Sequence, residues 1–557
     1  MSMKRVQVPL LALLLVASSS GCTAATYVSQ GQRRELRPPG VRSSEVDERP
    51  KLLILAIDGI DRKLIYDMLR GGQLPHLAEI LGGQEDGRFP HAHFDETVLS
   101  VLPSCTLPAW ASVFSGVPPS EHGVTGNEFF LRESLTLAAP APTTFDETEP
   151  SLRVYTTGYA NRLLAVPSVY ERLRDREPGI SIWVTLSQFF SGADLLLLPK
   201  WTVVETSVLT FLKDELKAQG SRDPFQAVDE SALDAVMNEL DGHAPPDVLT
   251  VYLPGADLFA HVAGQGPDEA RTKYLKAVVD PKVGALWKKL AEKKSVENRY
   301  VLLVSDHGHT EVIFDYKHAL TTRDDDSPPA VLRAAGFKVR PFQLDVGSEN
   351  DFQAVLTYQG AMAFVYLADR STAMKDVACN WTRPPRFKED VLAAADAFFK
   401  ANETGLHAPS LKGTLDMVLA RVPRPYGDVD EPFQVYVGNG LLEPVGKHLA
   451  ANPHPDYVAL EERLRELGVG RFGERAGDVV LIAHNGDRRQ PSERYYFAQR
   501  YRSWHGSPSR QDSEVPFIVA HPGRSAAEIE SVVRAALGPA PRLQRVADVI
   551  LQLRSAP

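Results

Sequence analysis

Short apolar runs that recur along this chain constrain its fold more than any other feature. The runs are KLLILAID (51–58), SIWVTL (181–186), DVLTVYL (247–253) and RYVLLVSD (299–306). Continuous apolar, β-branched runs of this length are typical of strands that are buried on both faces of a parallel sheet. Helical patterns lie between them, for example over 226–240 and 268–294. This alternation predicts an α/β fold built on a doubly wound, mostly parallel sheet.

Acidic residues stand where three of these runs end. Asp58 and Asp306 close their runs, and Asp257 lies just beyond a third. Each could be an ordinary helix cap when it is taken alone. In an open α/β sheet, however, ligands bind beyond the carboxyl ends of the strands. The three acidic residues together therefore indicate a ligand site at that edge of the sheet.

The pattern changes after about residue 318. We predict that residues 51–317 and 476–557 form the core and that residues 318–475, which contain many Pro and Gly, form an inserted α+β cap. The strand-like segments GDVVLIAH (477–484) and VPFIVAH (515–521) resume the earlier pattern and are assigned to the core.

The first residues predict export rather than folded structure. Residues 1–22 combine a short basic start, an apolar run over 8–17 and small residues before Cys22, which is typical of a signal peptide. A cysteine at that place is typical of a lipoprotein signal, so Cys22 is a candidate for lipidation and membrane anchoring in the periplasm or at the cell surface. Cleavage that leaves a secreted protein is the alternative. Residues 23–50 are polar and predict a flexible tether.

The charge of the chain argues against one class of partner. The formal net charge is −10 and the pI is about 5.9. A protein that binds nucleic-acid polymers is expected to show a basic stripe, and none is present. A small phosphate-ester substrate stays compatible with an acidic chain, because bound metal ions can reverse the local charge.

Two polar residues stand where a phosphate could be held. Thr106 precedes Pro108 at the predicted start of a helix, a place that favours anions. Asn127 lies in a Gly-rich loop, where its amide could donate to a phosphoryl oxygen. The simpler interpretations are a helix cap for Thr106 and a turn residue for Asn127.

Histidines accompany the acidic residues at spacings that suit metal binding. In GADLFAH, Asp257 and His261 are four residues apart and share one face of a helical turn. Carboxylates and imidazoles suit Zn²⁺ or a similar ion. His505 precedes a glycine in a polar loop and is unremarkable on its own.

The segment after the run at 299–306 carries a second such pair. Asp306 and His307 are adjacent, and Gly308 is expected to permit the bend that points both side chains at one ion. His309 is a weaker candidate, with a supporting position as the alternative.

The ordered set Asp, Thr, Asn, Asp-x-x-x-His, Asp-His-Gly and His-Gly resembles the alkaline phosphatase superfamily. It most closely resembles the type I phosphodiesterase/nucleotide pyrophosphatase family, over residues 51–316 and 477–557. The resemblance implies a sheet of the alkaline phosphatase type and two divalent metal ions, usually Zn²⁺. The ligands that it implies are Asp257, His261 and His505 for one ion, and Asp58, Asp306, His307 and Thr106 for the other.

The same resemblance implies a hydrolase of phosphate esters that acts through a phosphothreonine intermediate on Thr106. Asn127 and the backbone N–H of Thr106 would bind the phosphoryl oxygens. A phosphodiesterase/nucleotide pyrophosphatase is the first expectation and a phosphomonoesterase of the same superfamily is the alternative. A phosphotransferase and a non-catalytic, metal-stabilised surface lipoprotein are weaker alternatives. A sulfatase is disfavoured because no arginine follows Cys105 in the required motif.

Overall fold

The computed structural model describes residues 22–37, 49–143, 149–321, 326–341, 352–371, 381–423 and 430–555. The predicted signal peptide lies outside these residues except for Cys22, which is exposed. Within the described part of the chain, every helix is too short or too polar to cross a bilayer.

The strands form two large sheets and two small ribbons. In chain order they are β1 (Arg33–Glu35), β2 (Lys51–Ile57), β3 (Ala92–Asp95), β4 (Phe129–Leu131), β5 (Thr136–Ala138), β6 (Ile182–Thr185), β7 (Leu195–Leu197), β8 (Val248–Leu253), β9 (Arg299–Val304), β10 (Thr310–Glu311), β11 (Ala354–Tyr358), β12 (Met362–Leu367), β13 (Leu415–Arg421), β14 (Phe433–Tyr436), β15 (Leu442–Pro444), β16 (Val479–Ala483), β17 (Ser503–Trp504) and β18 (Phe517–Ala520).

Helices connect the strands along most of the described chain. They are α1 (22–30), α2 (Arg62–Arg70), α3 (Pro75–Ile80), α4 (Thr106–Ser115), α5 (Pro119–His122), α6 (Glu149–Thr156), α7 (Tyr159–Leu163), α8 (Val169–Arg176), α9 (Trp201–Leu212), α10 (Asp214–Gln219), α11 (Asp223–Gly242), α12 (Gly255–Val262), α13 (Pro267–Tyr274), α14 (Asp280–Glu292), α15 (Pro328–Ala334), α16 (Leu392–Thr404), α17 (Val445–Ala451), α18 (Leu460–Gly468), α19 (Arg510–Ser513), α20 (Ala526–Leu537) and α21 (Val546–Ser555). Short π-helical or 3₁₀ turns occupy Leu275–Val279, Phe387–Val391, Pro409–Leu411, Gly473–Ala476, Pro491–Glu493 and Leu543–Arg545.

The larger sheet has eight strands in the order β1-β7-β6-β8-β2-β9-β18-β3. The five strands from β7 to β9 are parallel, and the strands at the two ends are antiparallel. Separate apolar clusters cover the two faces of this sheet. The predicted α/β fold with a mostly parallel sheet is therefore confirmed. Strands β2, β8 and β9, which carry the apolar runs, lie at its centre because both of their faces must be covered.

The second sheet has six antiparallel strands in the order β11-β12-β16-β13-β14-β15. The prediction placed residues 477–484 in the core, and this is wrong for β16, which pairs with β12 and β13. An apolar run shows that a strand is buried but does not show which sheet it joins. The chain returns to the larger sheet only at β18.

The predicted tether over residues 23–50 is also wrong for residues 23–37. Helix α1 packs on the domain, where Tyr27 is buried and its hydroxyl donates to the carbonyl of Pro199 at 3.0 Å. Strand β1 then pairs antiparallel with β7. Polar sequence misled the prediction because an edge strand can send charged side chains into solvent, as β1 does with Arg33 and Glu35.

Candidate active site

The carboxyl ends of β2, β8 and β9 lie side by side and bring the three acidic residues together. Asp58 follows β2, Asp306 stands two residues after β9, and Asp257 lies in the first turn of α12, which follows β8. All three side chains are buried. The sequence predicted this convergence correctly from the strand ends alone.

One group of ligand atoms forms around His307. The Nε2 atom of His307 lies 3.4 Å from Asp58 Oδ1 and 3.2 Å from Asp306 Oδ2. Asp58, Asp306 and His307 each offer an atom to a set that lies within 4.8 Å of one another. Thr106 Oγ1 lies 3.2 Å from the same His307 Nε2. The threonine hydroxyl is therefore at the edge of this group.

A second group forms around Asp257. Its Oδ1 atom lies 3.6 Å from His261 Nε2 and 3.9 Å from His505 Nε2. These three residues again offer atoms within 4.8 Å of one another. The rings of His307 and His505 stack with their centroids 3.6 Å apart, so the two groups are adjacent. The structure thus brings together all seven of the residues that the sequence suggested as ligands.

The three imidazoles of these groups are oriented in the same way. In each, the Nδ1 atom faces a backbone carbonyl oxygen: that of Ser503 for His261 (2.7 Å), Gly308 for His307 (2.9 Å) and Ser104 for His505 (3.2 Å). A carbonyl only accepts, so Nδ1 carries the proton and each Nε2 presents a lone pair to the cluster. This arrangement is typical of histidines that bind metals.

The carboxylates also fit cations. Asp58 Oδ1 and Asp306 Oδ2 are buried and have no hydrogen-bond partner among the described residues. The other oxygen of Asp58 accepts from Trp110 Nε1 at 3.2 Å and from the hydroxyl of Tyr252. Buried anionic oxygens are costly unless a cation or donors neutralise them. The donor set as a whole therefore fits divalent metal ions.

The crowding and burial of these carboxylates shift their pKa values. Burial raises the pKa of Asp58 well above its usual value, and the negative charges of Asp306 and Asp257 raise it further. Burial would also raise the pKa of Asp257, but His261 and His309 hold it well below its usual value. The cluster is thus short of positive charge around Asp58 in particular.

Thr106 and Asn127 are held at the same edge. Thr106 is the first residue of α4, and Cys105 stands at its N-cap position without a side-chain cap bond. The alternative of a capping Thr106 is therefore wrong, and its hydroxyl faces His307. Asn127 Oδ1 accepts the backbone N–H of Leu107 at 2.9 Å, which leaves the amide NH₂ of Asn127 as a donor.

Gly308 serves the site by close approach rather than by an unusual backbone angle. A Cβ atom at this position would lie 2.1 Å from the carbonyl oxygen of Gln511, which no side chain could tolerate. The sequence analysis expected a glycine to be needed here because of a bend, whereas the structure shows that it is needed because the backbone of Gln511 lies so close.

Two residues of the site were missed or undervalued by sequence reasoning. His309 is buried, with Nε2 at 2.7 Å from Asp257 Oδ1 and Nδ1 at 3.1 Å from Ser503 Oγ. Gln359 comes from the turn between β11 and β12. Its Oε1 atom accepts the backbone N–H of Asn127 at 2.8 Å, and its Nε2 atom donates to the carbonyl of Glu128. No motif in the sequence marks Gln359, because its role depends on how the second sheet docks.

A pocket opens directly from this cluster. Thr106, Asp257 and His505 line it beside the cluster, and side chains of α9 line it further out. It encloses about 1060 Å³ when its open mouth is included. Among the residues that the structure describes, the pocket wall contains no lysine or arginine.

Comparison with known proteins gives the following matches. Residues 52–327 match the family model of type I phosphodiesterase / nucleotide pyrophosphatase. An ectonucleotide pyrophosphatase/phosphodiesterase of Caenorhabditis elegans is 24% identical over 264 residues, which are 47% of this chain and 26% of the relative. The chain therefore matches about a quarter of the length of that relative.

Solved structures of a murine protein, ectonucleotide pyrophosphatase / phosphodiesterase 5, are also similar. The structure of its inactive variant in complex with AMP has a TM-score of 0.46 and 12% identity, and covers 91% of this chain and 95% of its own. A second structure of that protein has a TM-score of 0.43 and 13% identity, with 84% and 88% covered.

Proposed function

Since residues 52–327 of this chain belong to the type I phosphodiesterase/nucleotide pyrophosphatase family of the alkaline phosphatase superfamily, we propose that the protein is a two-metal phosphodiesterase with Thr106 as its nucleophile. The observation that carries this proposal is the position of Thr106 Oγ1, which lies 3.2 Å from His307 Nε2 at the edge of the group that Asp58, Asp306 and His307 form.

In this proposal Asp257, His261 and His505 hold one ion, and Asp58, Asp306, His307 and Thr106 hold the other. Two bound divalent ions, Zn²⁺ by family resemblance, would supply the positive charge that lowers the pKa of a hydroxyl and stabilises phosphoryl oxygens. The lone pairs of the three Nε2 atoms and the unpaired carboxylate oxygens support this assignment.

The reaction then has two steps on Thr106. Its oxygen attacks phosphorus, the new P–O bond forms as the bond to the leaving oxygen breaks, and the leaving group departs with a proton. Water next attacks the phosphothreonine, the P–O bond to Thr106 breaks, and the threonine hydroxyl regains its proton. The amide of Asn127 and the backbone N–H of Thr106 donate to the phosphoryl oxygens.

The charge of the pocket favours diesters over monoesters. A diester carries one negative charge at neutral pH, whereas a monoester carries close to two. A monoesterase is expected to supply extra cationic side chains for that charge, and the described pocket wall has neither lysine nor arginine. We therefore place the phosphomonoesterase second.

A comparison of three aryl esters tests the proposed function. We expect the Zn²⁺-loaded protein to cleave bis(p-nitrophenyl) phosphate faster than p-nitrophenyl phosphate, and p-nitrophenyl sulfate least of all. Thr106→Ala should lower kcat on the diester by at least about 10³-fold, because the variant lacks the oxygen that is proposed to attack phosphorus. Thr97→Ala, at a threonine outside the cluster, is the matched control. Near-normal turnover by Thr106→Ala would exclude Thr106 as the nucleophile.

We also propose that the protein is exported and anchored by a lipid on Cys22. The apolar run before Cys22 and the exposure of this cysteine support the proposal. Expression of Cys22→Ala in a bacterial host should move the protein from the membrane fraction to the soluble exported fraction, whereas Cys105→Ala should not. Retention of Cys22→Ala in the membrane would contradict lipidation.

A further inference from the structure

The pocket beside Thr106 has a wall of unusual chemistry for a site that binds a charged ester. At one end it shares Asp58, Asp257 and His505 with the candidate metal centre. The remainder of the wall comes largely from aliphatic and aromatic side chains, among them Leu186, Val204, Val208, Phe211, Val228 and Leu258. A phosphate held at the cluster would thus have its organic group directed along an apolar surface.

Helix α9 supplies one side of this surface. Its residues Val204, Ser207, Val208, Phe211 and Leu212 line the pocket at the spacing of one helical face. Val204, Ser207 and Leu212 are buried, whereas Val208 and Phe211 are only partly buried, so the protein covers this face incompletely. An apolar helix face beside a reaction centre is stabilised when it is covered by an apolar group.

Some of the polar groups of the wall are already bonded within the protein. The hydroxyl of Thr143 donates to Glu128 Oε1 at 2.8 Å, and the hydroxyl of Tyr155 donates to the carbonyl of Leu186 at 3.0 Å. Gln188 Oε1 is a buried acceptor without a described partner. One such acceptor suits a single hydroxyl of a substrate. A nucleoside would bring a base and a ribose, whose several donors and acceptors would each need a partner in a wall that is largely apolar.

We propose that this pocket binds an aliphatic chain, so that the preferred substrates are alkyl- or acyl-bearing phosphodiesters rather than nucleotides. The inference rests on the proposed phosphodiesterase function and names the class of substrate for the same site. The apolar face of α9 is the chain-binding surface, and the metal-ligand cluster holds the phosphate.

A graded series of esters tests the proposal. The Zn²⁺-loaded protein is assayed with the p-nitrophenyl esters of methyl, butyl and octyl phosphate, each below its micelle concentration, and with p-nitrophenyl thymidine 5′-phosphate. Each methylene buried in an apolar site strengthens binding by about fourfold. We expect kcat/KM to rise at least a hundredfold from the methyl to the octyl ester, and the octyl ester to exceed the thymidine ester.

Two outcomes of this series would overturn the inference while leaving the proposed function intact. One is a rate that does not depend on chain length, and the other is a thymidine ester that is cleaved faster than the octyl ester. Cleavage of none of the esters would overturn the proposed function, and the inference with it.

A matched pair of variants tests where the aliphatic chain of the substrate binds. Val208 and Val203 are both partly buried on α9, but only Val208 lines the pocket. Val208→Phe should fill the chain-binding surface and lower the octyl-to-methyl ratio of kcat/KM at least tenfold. Val203→Phe should leave the ratio of the two rates unchanged.

If Val208→Phe does not fold, Val208→Thr serves instead. It places a hydroxyl of nearly the same size in the apolar wall and should lower the octyl-to-methyl ratio several-fold. An unchanged octyl-to-methyl ratio in the folded Val208 variant would show that the aliphatic chain of the substrate does not bind along α9.

Discussion

At the scale of single residues, the site is a set of side chains whose ligand atoms form two adjacent groups. The carboxylates and histidines were predictable because their residue types and order carry the chemistry. The sequence could not predict which atom of each ring faces the cluster, since this depends on the carbonyls of Ser104, Gly308 and Ser503. Gln359 escaped prediction because it reaches the site from a different sheet.

Gln359 is the residue for which the structure makes the sharpest new prediction. Its amide accepts from Asn127 N and donates to Glu128 O, so it fixes the loop that carries the amide of Asn127. Gln359→Glu keeps the acceptor but replaces the donor by a carboxylate oxygen that faces a carbonyl. We expect kcat on bis(p-nitrophenyl) phosphate to fall by about 10- to 100-fold with little change in KM.

The control for this change is Gln434→Glu, at a partly buried position of β14 in the same sheet. It should leave kcat unchanged. Equal kcat values for the two variants would show that Gln359 does not position Asn127 for turnover.

At the scale of elements, the buried strands were more predictable than their pairing. The strands β2, β8 and β9 and helix α11 lie close to their predicted positions, because periodicity and burial are local properties. Contacts between distant segments decide which sheet β16 joins and that β1 pairs with β7. Apolar or polar composition alone does not determine these contacts.

Helices α11 and α12 are joined by a buried carboxyl group. Asp229 on α11 accepts from the backbone N–H of Gly255 at 3.2 Å and from the hydroxyl of Tyr274 at 2.9 Å. Gly255 begins α12, whose first turn carries Asp257 and whose last turn carries His261. Asp229 thereby fixes the start of a helix that supplies two candidate ligands.

The protonation of Asp229 makes this junction sensitive to pH. Burial raises the pKa of Asp229 from 3.8 to about 7, against the opposing effect of its two hydrogen bonds. A carboxyl group with a raised pKa binds its proton more tightly in the folded state, so its contribution to stability is lost as pH rises from about 4 to 7. Asp229→Asn removes this titration.

We therefore expect Asp229→Asn to gain stability relative to the unchanged protein as pH rises from 4.5 to 8. The gain is at most a few kcal/mol, at about 1.4 kcal/mol for each unit of pKa. The free energy of unfolding in urea at the two pH values measures it. Asp234→Asn, at an exposed position of the same helix, should show no such trend. A difference that stays constant or reverses with pH would contradict the assignment.

At the scale of the whole molecule, the candidate metal centre joins regions that are far apart in the chain. Its buried carboxylates repel one another until cations neutralise them. We expect removal of bound ions by a chelator to lower Tm as well as activity, because ions that bind only the folded state stabilise it. Saturation at 100 times Kd contributes about 2.7 kcal/mol for each site.

The measurement is Tm with and without chelator, after removal of metal has been verified by elemental analysis. Added Zn²⁺ should restore Tm. Asp257→Ala should start from a lower metal content and show a smaller shift. An unchanged Tm in verified metal-free protein would show that ion binding is not coupled to stability.

The order of the candidate ligands along the chain also bears on how the protein matures. Ser104 and His505, which meet at the site, are 401 residues apart, and β18 returns to the larger sheet only after both. Contacts of such long range close late and slowly in folding. A growing chain that already contains Asp58, Asp257 and Asp306 still lacks His505, whose imidazole completes the group around Asp257. The second ligand group of the proposed metal centre is thus complete only after the segment that carries His505 has folded.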